Sequence, residues 1–403
     1  MKVALATVGT SGDVRPFAML ARELVRRGHD VTAITWPVHA PALEMPGVRV
    51  ETAGPHADPA RIEAVAAEAA EKGPLDQVAV LRDFHLADGE AHYRRLRELL
   101  PGHDLVLIHA IHGLAHAAVL HLGLRWASVA FDPVLLPTRT APPPGMPSLG
   151  PANPLLWGML DRMLRRTNRP FDELLARAGS SQQGLPLFRA RSSLLHLVGC
   201  SPHIMRVPSD LPASTRVTGA WADRRPHEPL PSDLDAWLAD GPPPVTFTFG
   251  SMGGRATDAI DAAIRAILDA GRRVVLQGRT AVSSPNLATI GALDHRPLFA
   301  RSSVGVHHGG SGTTHTVALA GVPHVVVPHV GDQRYWADRL HRLGVAPAPL
   351  DVRTLDGASL ADAVLATAAD PQTAAAARAL AERMRTEDGV AVAADALEAA
   401  ARA

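Results

Sequence analysis

Eight consecutive residues, His307-His308-Gly309-Gly310-Ser311-Gly312-Thr313-Thr314, carry the strongest chemical signal in the chain. A buried strand over residues 304–307 should lead in, and a helix over 316–320 should lead out. Glycines let the backbone adopt positive φ and approach a ligand closely. Amides at a helix start, with the macrodipole behind them, favour anionic oxygens. Ser311, Thr313 and Thr314 add hydroxyl donors, and a histidine at the strand end can donate to a phosphate. The bland alternative is a tight glycine-rich turn. The pattern is neither Gly-x-Gly-x-x-Gly nor a P-loop, because no lysine precedes Ser311 or Thr313.

A second glycine turn near the N-terminus ends in Asp13. A carboxylate there can take a proton from a hydroxyl. From the local residues alone, Asp13 reads more simply as the cap of a helix whose first turn holds Pro16, and both roles can coexist. Asp332-Gln333 likewise opens a helix ahead of Tyr335 and Trp336, so a cap again competes with a ligand contact. Asp233-Leu234-Asp235 has the letters of a cation-binding Asp-x-Asp pair. Its place at the start of a short helix leading to Trp237 and Leu238 makes it a cap and a solvated face. His109, His112 and His116 stand close together, but no nearby cysteine or suitably spaced carboxylate completes a metal set, so no metal site is expected. His109 or His112 could still line a cleft for a substrate.

The elements that must position these residues follow a repeating pattern. Residues 3–7 form a short apolar run, and Phe17, Leu20, Ala21, Leu24 and Val25 then make one helical face. Gly28 ends that helix and residues 31–34 resume as a strand, which is a parallel βαβ unit. Strands at 105–108 and 126–130 enclose a helix over 113–122, and 193–199 reads as a last strand of this half. Residues 54–100 are alanine-rich and charged helical stretches, and 137–154 is a proline- and glycine-rich surface loop. The pattern restarts with strands at 245–249, 274–277, 304–307 and 324–327, a glycine loop at 250–254 and a helix at 258–269. The expected organisation is a domain over 1–207, a linker over 208–230, a second domain over 231–388, and a helix over 389–403 packing back on the first domain. Ligands in such sheets bind at the carboxyl ends of the strands.

Composition narrows the choice. The 403 residues exceed the roughly 100–200 of one domain. Forty basic side chains balance forty acidic ones, so no net field draws nucleic acid or an anionic membrane. The single Cys200 rules out an internal disulfide and suits a reducing compartment. The apolar run after Met1-Lys2 is too short for a signal peptide, and no stretch approaches the ~20 residues of a membrane helix. A cytoplasmic protein without membrane insertion, monomeric or homodimeric, is expected.

The nest, the downstream Gly321-Val322-Pro323-His324-Val325-Val326-Val327-Pro328 and Gly331-Asp332-Gln333 together resemble the donor signature of GT-B glycosyltransferases. The likeness is to the bacterial enzymes that decorate glycopeptides, macrolides and other natural products, and to related sterol glucosyltransferases. Gly9-Thr10-Ser11-Gly12-Asp13-Val14-Arg15-Pro16 resembles the opening of the same group. Residues of about 55–190 carry no matching motif. The resemblance implies an α/β fold of two Rossmann-like domains facing each other across a cleft. It implies that His307, Gly310, Ser311, Gly312 and Thr313 hold a diphosphate, with Ser251 near it from another loop. Asp332 and Gln333 would bind the donor sugar, and Leu293 would offer backbone groups to the base. Many members carry a histidine base in the first loop, whereas this chain has Asp13, as in the glycopeptide and sterol branch.

The implied reaction is direct displacement. An acceptor hydroxyl, deprotonated by Asp13, attacks the anomeric carbon of a TDP- or UDP-sugar, and the diphosphate leaves with inversion. The nucleotide sugar is a substrate, and no cofactor is expected. Two competitors remain: a nucleotide-sugar 2-epimerase of the same fold, and a non-catalytic helper of a partner glycosyltransferase. A nicotinamide dehydrogenase fits less well, since the dinucleotide fingerprint is missing after the first strand.

Overall fold

The computed structural model describes every residue except 71, 73, 134–135, 144–145, 250–256 and 279. The chain forms two compact units, each built on a parallel sheet. The first contains Met1–Pro202, Val207–Ala222 and Asp388–Ala403; the second contains His203–Arg206 and Asp223–Glu387.

In the first unit the strands are β1 (Lys2–Ala6), β2 (Asp30–Thr35), β3 (Val48–Thr52), β4 (Leu105–His109), β5 (Trp126–Ala130), β6 (His196–Val198) and β7 (Thr215–Val217). They lie in the order β3-β2-β1-β4-β5-β6-β7, all parallel. Strand order reverses between β1 and β4, and crevices for ligands open where such reversals occur. β1 is apolar along Val3–Ala6 and buried there because helices cover both faces of a parallel sheet. The helix Ser11–Arg26 packs Phe17, Leu20 and Leu24 onto this sheet.

The C-terminal helix Gly389–Arg402 completes the same core with Val390, Ala393, Ala394, Leu397 and Ala400. Polar contacts fix its register. Arg27 reaches Asp395 at 2.5 Å and Glu398 at 3.3 Å, and His29 meets Glu398 at 2.9 Å. The Arg125 guanidinium donates twice to the Ala400 carbonyl. Gly389 must be glycine for a steric reason: a Cβ there would sit 2.5 Å from the carbonyl oxygens of Gly219 and Ala220.

In the second unit β8 (Val245–Thr248), β9 (Val274–Gln277), β10 (Leu287–Ile290), β11 (Val304–His307) and β12 (His324–Val326) lie in the order β10-β9-β8-β11-β12, again all parallel. Here the reversal falls between β8 and β11. Val304 and Val306 of β11 stack with Phe247, Ile264 and Val325 in the core.

Two sequence expectations change, and two strands that the sequence did not announce are added. The segment expected as a linker over 208–230 contains β7 and the core residue Trp221, so the first unit extends to Ala222. β7 escapes periodicity because it is only three residues long. β3 and β10, whose residues are only half buried or exposed, lack the continuous apolar run of a central strand. The helix after β11 begins at Ser311 rather than residue 316, so the hydroxyl-rich stretch is itself the first turn.

Leu397 is fully buried between the C-terminal helix and the sheet. Leu397→Ala should lower the unfolding free energy by about 2–4 kcal/mol, read from urea titrations. A loss below ~0.5 kcal/mol would mean that this helix does not complete the core.

Candidate functional site

In the second unit the polar residues gather where β8 and β11 end. Gly309 turns the chain at φ +90°, and a Cβ there would lie 2.8 Å from Val326 and 3.0 Å from the Gln333 carbonyl. Gly310 is the N-cap, in extended conformation, and as a glycine it offers no capping side chain. The first intrahelical bond runs from the Thr314 amide to the Gly310 carbonyl. The amides of Ser311, Gly312 and Thr313 lie ahead of it, the positions a helix cannot satisfy internally. Gly312 is exposed, while Ser311 and Thr313 are half-buried. Thr248 Oγ1 and Thr314 Oγ1, both buried, have no hydrogen-bond partner among the described residues. These are the features of an anion site with spare donors.

His307 takes a different place from the one expected. Its ring is 0% exposed. Nδ1 accepts from the Gly309 amide at 3.0 Å, which leaves the proton of the neutral ring on Nε2, directed at Nδ1 of His324 2.9 Å away. His307 therefore shapes the glycine turn from behind rather than presenting itself to a diphosphate. Burial, then the neighbouring His324 and His308, drive its pKa well below the ordinary value. His308 is the half-buried imidazole of the pair, pushed down to about 4 chiefly by burial. His324 was missed, although a histidine inside Val-Pro-His-Val-Val-Val is a polar interruption of a buried run.

Asp332 and Gln333 begin the helix Gln333–Arg342. Asp332 Oδ2 accepts from Trp336 Nε1 at 2.6 Å. Gln333 Oε1 accepts from the amides of His329 and Val330 at 2.7 and 3.0 Å, so this side chain fastens the preceding loop. Its oxygen is thereby taken up by the fold. Leu293 packs beside Leu234, Leu238, Val275 and Leu298, next to Asp294, which caps the helix His295–Phe299. Asp235 of the Asp-x-Asp letters pairs with Arg301 at 2.6 Å. Ser251 lies outside the described residues.

In the first unit Asp13 follows β1 at the strand-order reversal. It is the third residue of the helix Ser11–Arg26, and Thr10 is the N-cap. Asp13 Oδ2 accepts from the Thr10 amide at 2.7 Å and from its hydroxyl at 2.8 Å. Oδ1 lies 3.9 Å from His109 Nε2 at the end of β4. One carboxylate oxygen thus holds the helix start, and the other faces a histidine. His109 is packed between the rings of Phe17 and Phe131, and burial lowers its pKa against the opposing pull of Asp13 and the Val8 backbone. The other two histidines of the sequence cluster separate from it: His112 accepts from the Ala115 amide at a helix start, and His116 packs on Trp126. Among the described residues no group of three or more metal-ligating side chains is suited to hold a metal ion. No helix among them is long and apolar enough to cross a membrane.

Two parallel-sheet α/β units with polar loops at the strand ends define the GT-B architecture of glycosyltransferases. Residues 255–399 match the family described as erythromycin biosynthesis protein CIII-like, C-terminal domain. The chain is 31% identical to the O-mycaminosyltylonolide 6-deoxyallosyltransferase of Streptomyces fradiae, over 97% of this chain and 95% of the relative. It is 35% identical to the vancomycin aglycone glucosyltransferase of Amycolatopsis orientalis, over 98% and 96%. The solved structure of the glycotransferase of kitacinnamycin superposes with a TM-score of 0.74 at 20% identity, covering 99% of this chain and 98% of that one. The glycosyltransferase VinC in complex with DTDP gives 0.69 at 20% identity, with full coverage of both chains. The chain belongs to this family of natural-product glycosyltransferases.

Burial pushes His92 and His324 down to about 3 and His116, His196 and His308 to about 4, from an ordinary 6.5. The folded protein therefore binds fewer protons than the unfolded chain below that ordinary value. Stability from these groups is fully present above a pH of about 6.5 and is lost as pH falls toward their folded values. Thermal melts followed by circular dichroism should show a midpoint that declines steadily on acidification through this window. A midpoint unchanged down to about 4 would show that the imidazoles are not enclosed.

Proposed function

We propose that the protein is an inverting, metal-independent glycosyltransferase that moves a hexose or deoxyhexose from a TDP- or UDP-sugar to a hydroxyl of a small natural-product acceptor. The observation that carries this reading is the glycine-capped start of the helix Ser311–Ala320, with the spare hydroxyls of Thr248 and Thr314 in the same unit. The named activities of the relatives support sugar transfer to natural-product acceptors, and the DTDP bound to VinC supports a thymidine donor.

In the proposed step the acceptor hydroxyl gives its proton to Asp13 Oδ1 while its oxygen forms a bond to the anomeric carbon. The bond from that carbon to the diphosphate oxygen breaks, and its electron pair leaves with the diphosphate. A single displacement inverts the centre. The growing negative charge meets the amides of Ser311, Gly312 and Thr313 and the positive end of their helix. Assigning neutralisation to these groups is what makes the proposed mechanism independent of a metal. Asp332 and the amide of Gln333 are assigned to donor-sugar hydroxyls, Leu293 to the base and Ser251 to the diphosphate. His307 is reassigned from diphosphate contact to support of the turn.

Gly312 offers a clean electrostatic test, because a Cβ there meets nothing within 4 Å. Gly312→Asp should weaken TDP binding at least about tenfold in calorimetric titrations, while the uncharged Gly312→Asn stays close to wild type. Equal weakening by both would assign the loss to shape rather than charge and remove the diphosphate from this helix.

Asp13→Asn keeps an oxygen able to accept from Thr10 but loses the base. Turnover with a TDP-sugar and acceptor should fall about 10²–10⁴-fold, with TDP affinity unchanged. Full turnover would return Asp13 to capping alone. TDP release that proceeds equally without acceptor would favour the epimerase.

A further inference from the structure

An imidazole fully enclosed from solvent stands behind the glycine turn of the second unit. His324 opens β12 within the stretch Val322-Pro323-His324-Val325-Val326-Val327 and is 0% exposed. β12 pairs with β11 so that Gly305 lies opposite His324, and His307 opposite Val326. Residues two apart on a strand share a face, so His324 and His307 are diagonal neighbours on one side of the sheet. Gly305 has no side chain to stand between them. His324 Nδ1 lies 2.9 Å from His307 Nε2.

The proton positions follow from the partners. His307 Nδ1 accepts from the Gly309 amide, so the neutral ring carries its proton on Nε2 and donates it to His324 Nδ1. His324 must then keep its own proton on Nε2. That nitrogen is buried and has no hydrogen-bond partner among the described residues. A buried N–H left unmade costs stability, a cost that an apolar residue in the same place would not incur. Packing alone therefore gives no reason for a histidine here; its Nδ1 does. Both rings stay neutral, because burial first and neighbouring imidazoles second lower their pKa, that of His324 to about 3. The adjacent His315 has a separate partner, the Ser311 carbonyl 2.7 Å from its Nδ1.

We infer that His324 is a positioning residue for donor binding: by accepting from His307 it fixes the tautomer that holds the Gly309 amide, and so aims the amides of Ser311, Gly312 and Thr313 at a diphosphate. The inference rests on the proposed diphosphate site at this helix start. His324 itself touches no ligand. Without its Nδ1, the His307 Nε2 proton loses its acceptor, and the ring is free to carry the proton on Nδ1 instead. The Gly309 amide then meets an N–H rather than a lone pair. Val326 still packs against Gly309, so the turn shifts rather than unfolds. Small shifts in a preorganised donor array are felt directly in ligand affinity.

Substitutions at this one position separate the role from packing. Asparagine carries its amide oxygen near the place of imidazole Nδ1, glutamine carries its own near the place of Nε2, and phenylalanine keeps a ring without either nitrogen. In calorimetric titrations of the full-length protein with TDP, His324→Asn should stay within about threefold of wild type. His324→Gln and His324→Phe should each bind about tenfold more weakly. Packing alone gives the reverse order, because asparagine leaves the largest hole. Long-range proton–nitrogen NMR spectra should show His307 with a bare Nδ1 and a protonated Nε2 in wild type and His324→Asn, and mixed tautomers in His324→Phe. Circular dichroism certifies that each variant is folded; should His324→Phe fail to fold, His324→Gln carries both comparisons. Wild-type TDP affinity in His324→Gln and His324→Phe, weakest binding in His324→Asn, or a protonated His307 Nδ1 in wild type would each overturn the inference and leave the diphosphate site standing. Wild type with the expected tautomer but no TDP binding would instead sink the diphosphate reading, and the part of His324 in donor binding with it.

Discussion

Parallel strand pairing is the constraint on which the rest of this structure depends. A parallel sheet must be covered on both faces, so its strands are apolar and its middle offers no place for chemistry. Polar side chains are admitted only where the strands end. In the first unit β1, β2 and β4 end near Asp13, Trp36 and His109; in the second, β8 and β11 end at Thr248 and His307. Each group sits at the place where strand order reverses and neighbouring loops diverge. The chemistry of the chain is thus confined by backbone topology before any side chain is chosen.

Within that confinement, single residues serve the fold and the proposed function together. Asp13 illustrates the economy. Its Oδ2 closes a reciprocal cap with Thr10, which fixes the rotamer and leaves Oδ1 in a defined direction. A side chain held by such a bond has lost its rotamer freedom before any ligand arrives, which is what preorganisation of the proposed base requires. The cap expected from the sequence is present, and the proposed role as a base would draw on the other carboxylate oxygen. His307 carries the same logic in the other unit. By accepting from the Gly309 amide it sets the turn that frees the next three amides, and His324 fixes its tautomer.

Much of this was legible in the sequence, and the gaps have physical causes. Central strands announce themselves as apolar runs, so β1, β4, β5, β9 and β11 stand close to where periodicity puts them. The edge strands β3, β7 and β10 mix polar and apolar residues and were hidden. The glycine nest was visible because Gly309 is conformationally required and Gly310 caps a helix. What a linear reading could not provide was direction. His307 and His308 are adjacent, yet the alternation of an extended chain turns the first inward and leaves the second half-buried. Trp36, Gly54 and His92 are far apart in sequence and meet only through the sheet, so no local motif could announce them.

The buried imidazoles of both units share a physical logic that explains why histidine, rather than lysine or aspartate, recurs. A residue enclosed in a low-dielectric site must avoid charge or find a partner for it. Neutral imidazole keeps both a donor and an acceptor without that obligation. Asp13 escapes the constraint differently, by remaining partly exposed, with a side chain 28% accessible, and by accepting two hydrogen bonds on one oxygen. The result is a division of labour: one carboxylate left partly exposed, beside an imidazole enclosed among aromatic rings. Burial of His109 among Phe17 and Phe131 lowers its pKa against the pull of Asp13, so the imidazole that faces the carboxylate is held toward its neutral form.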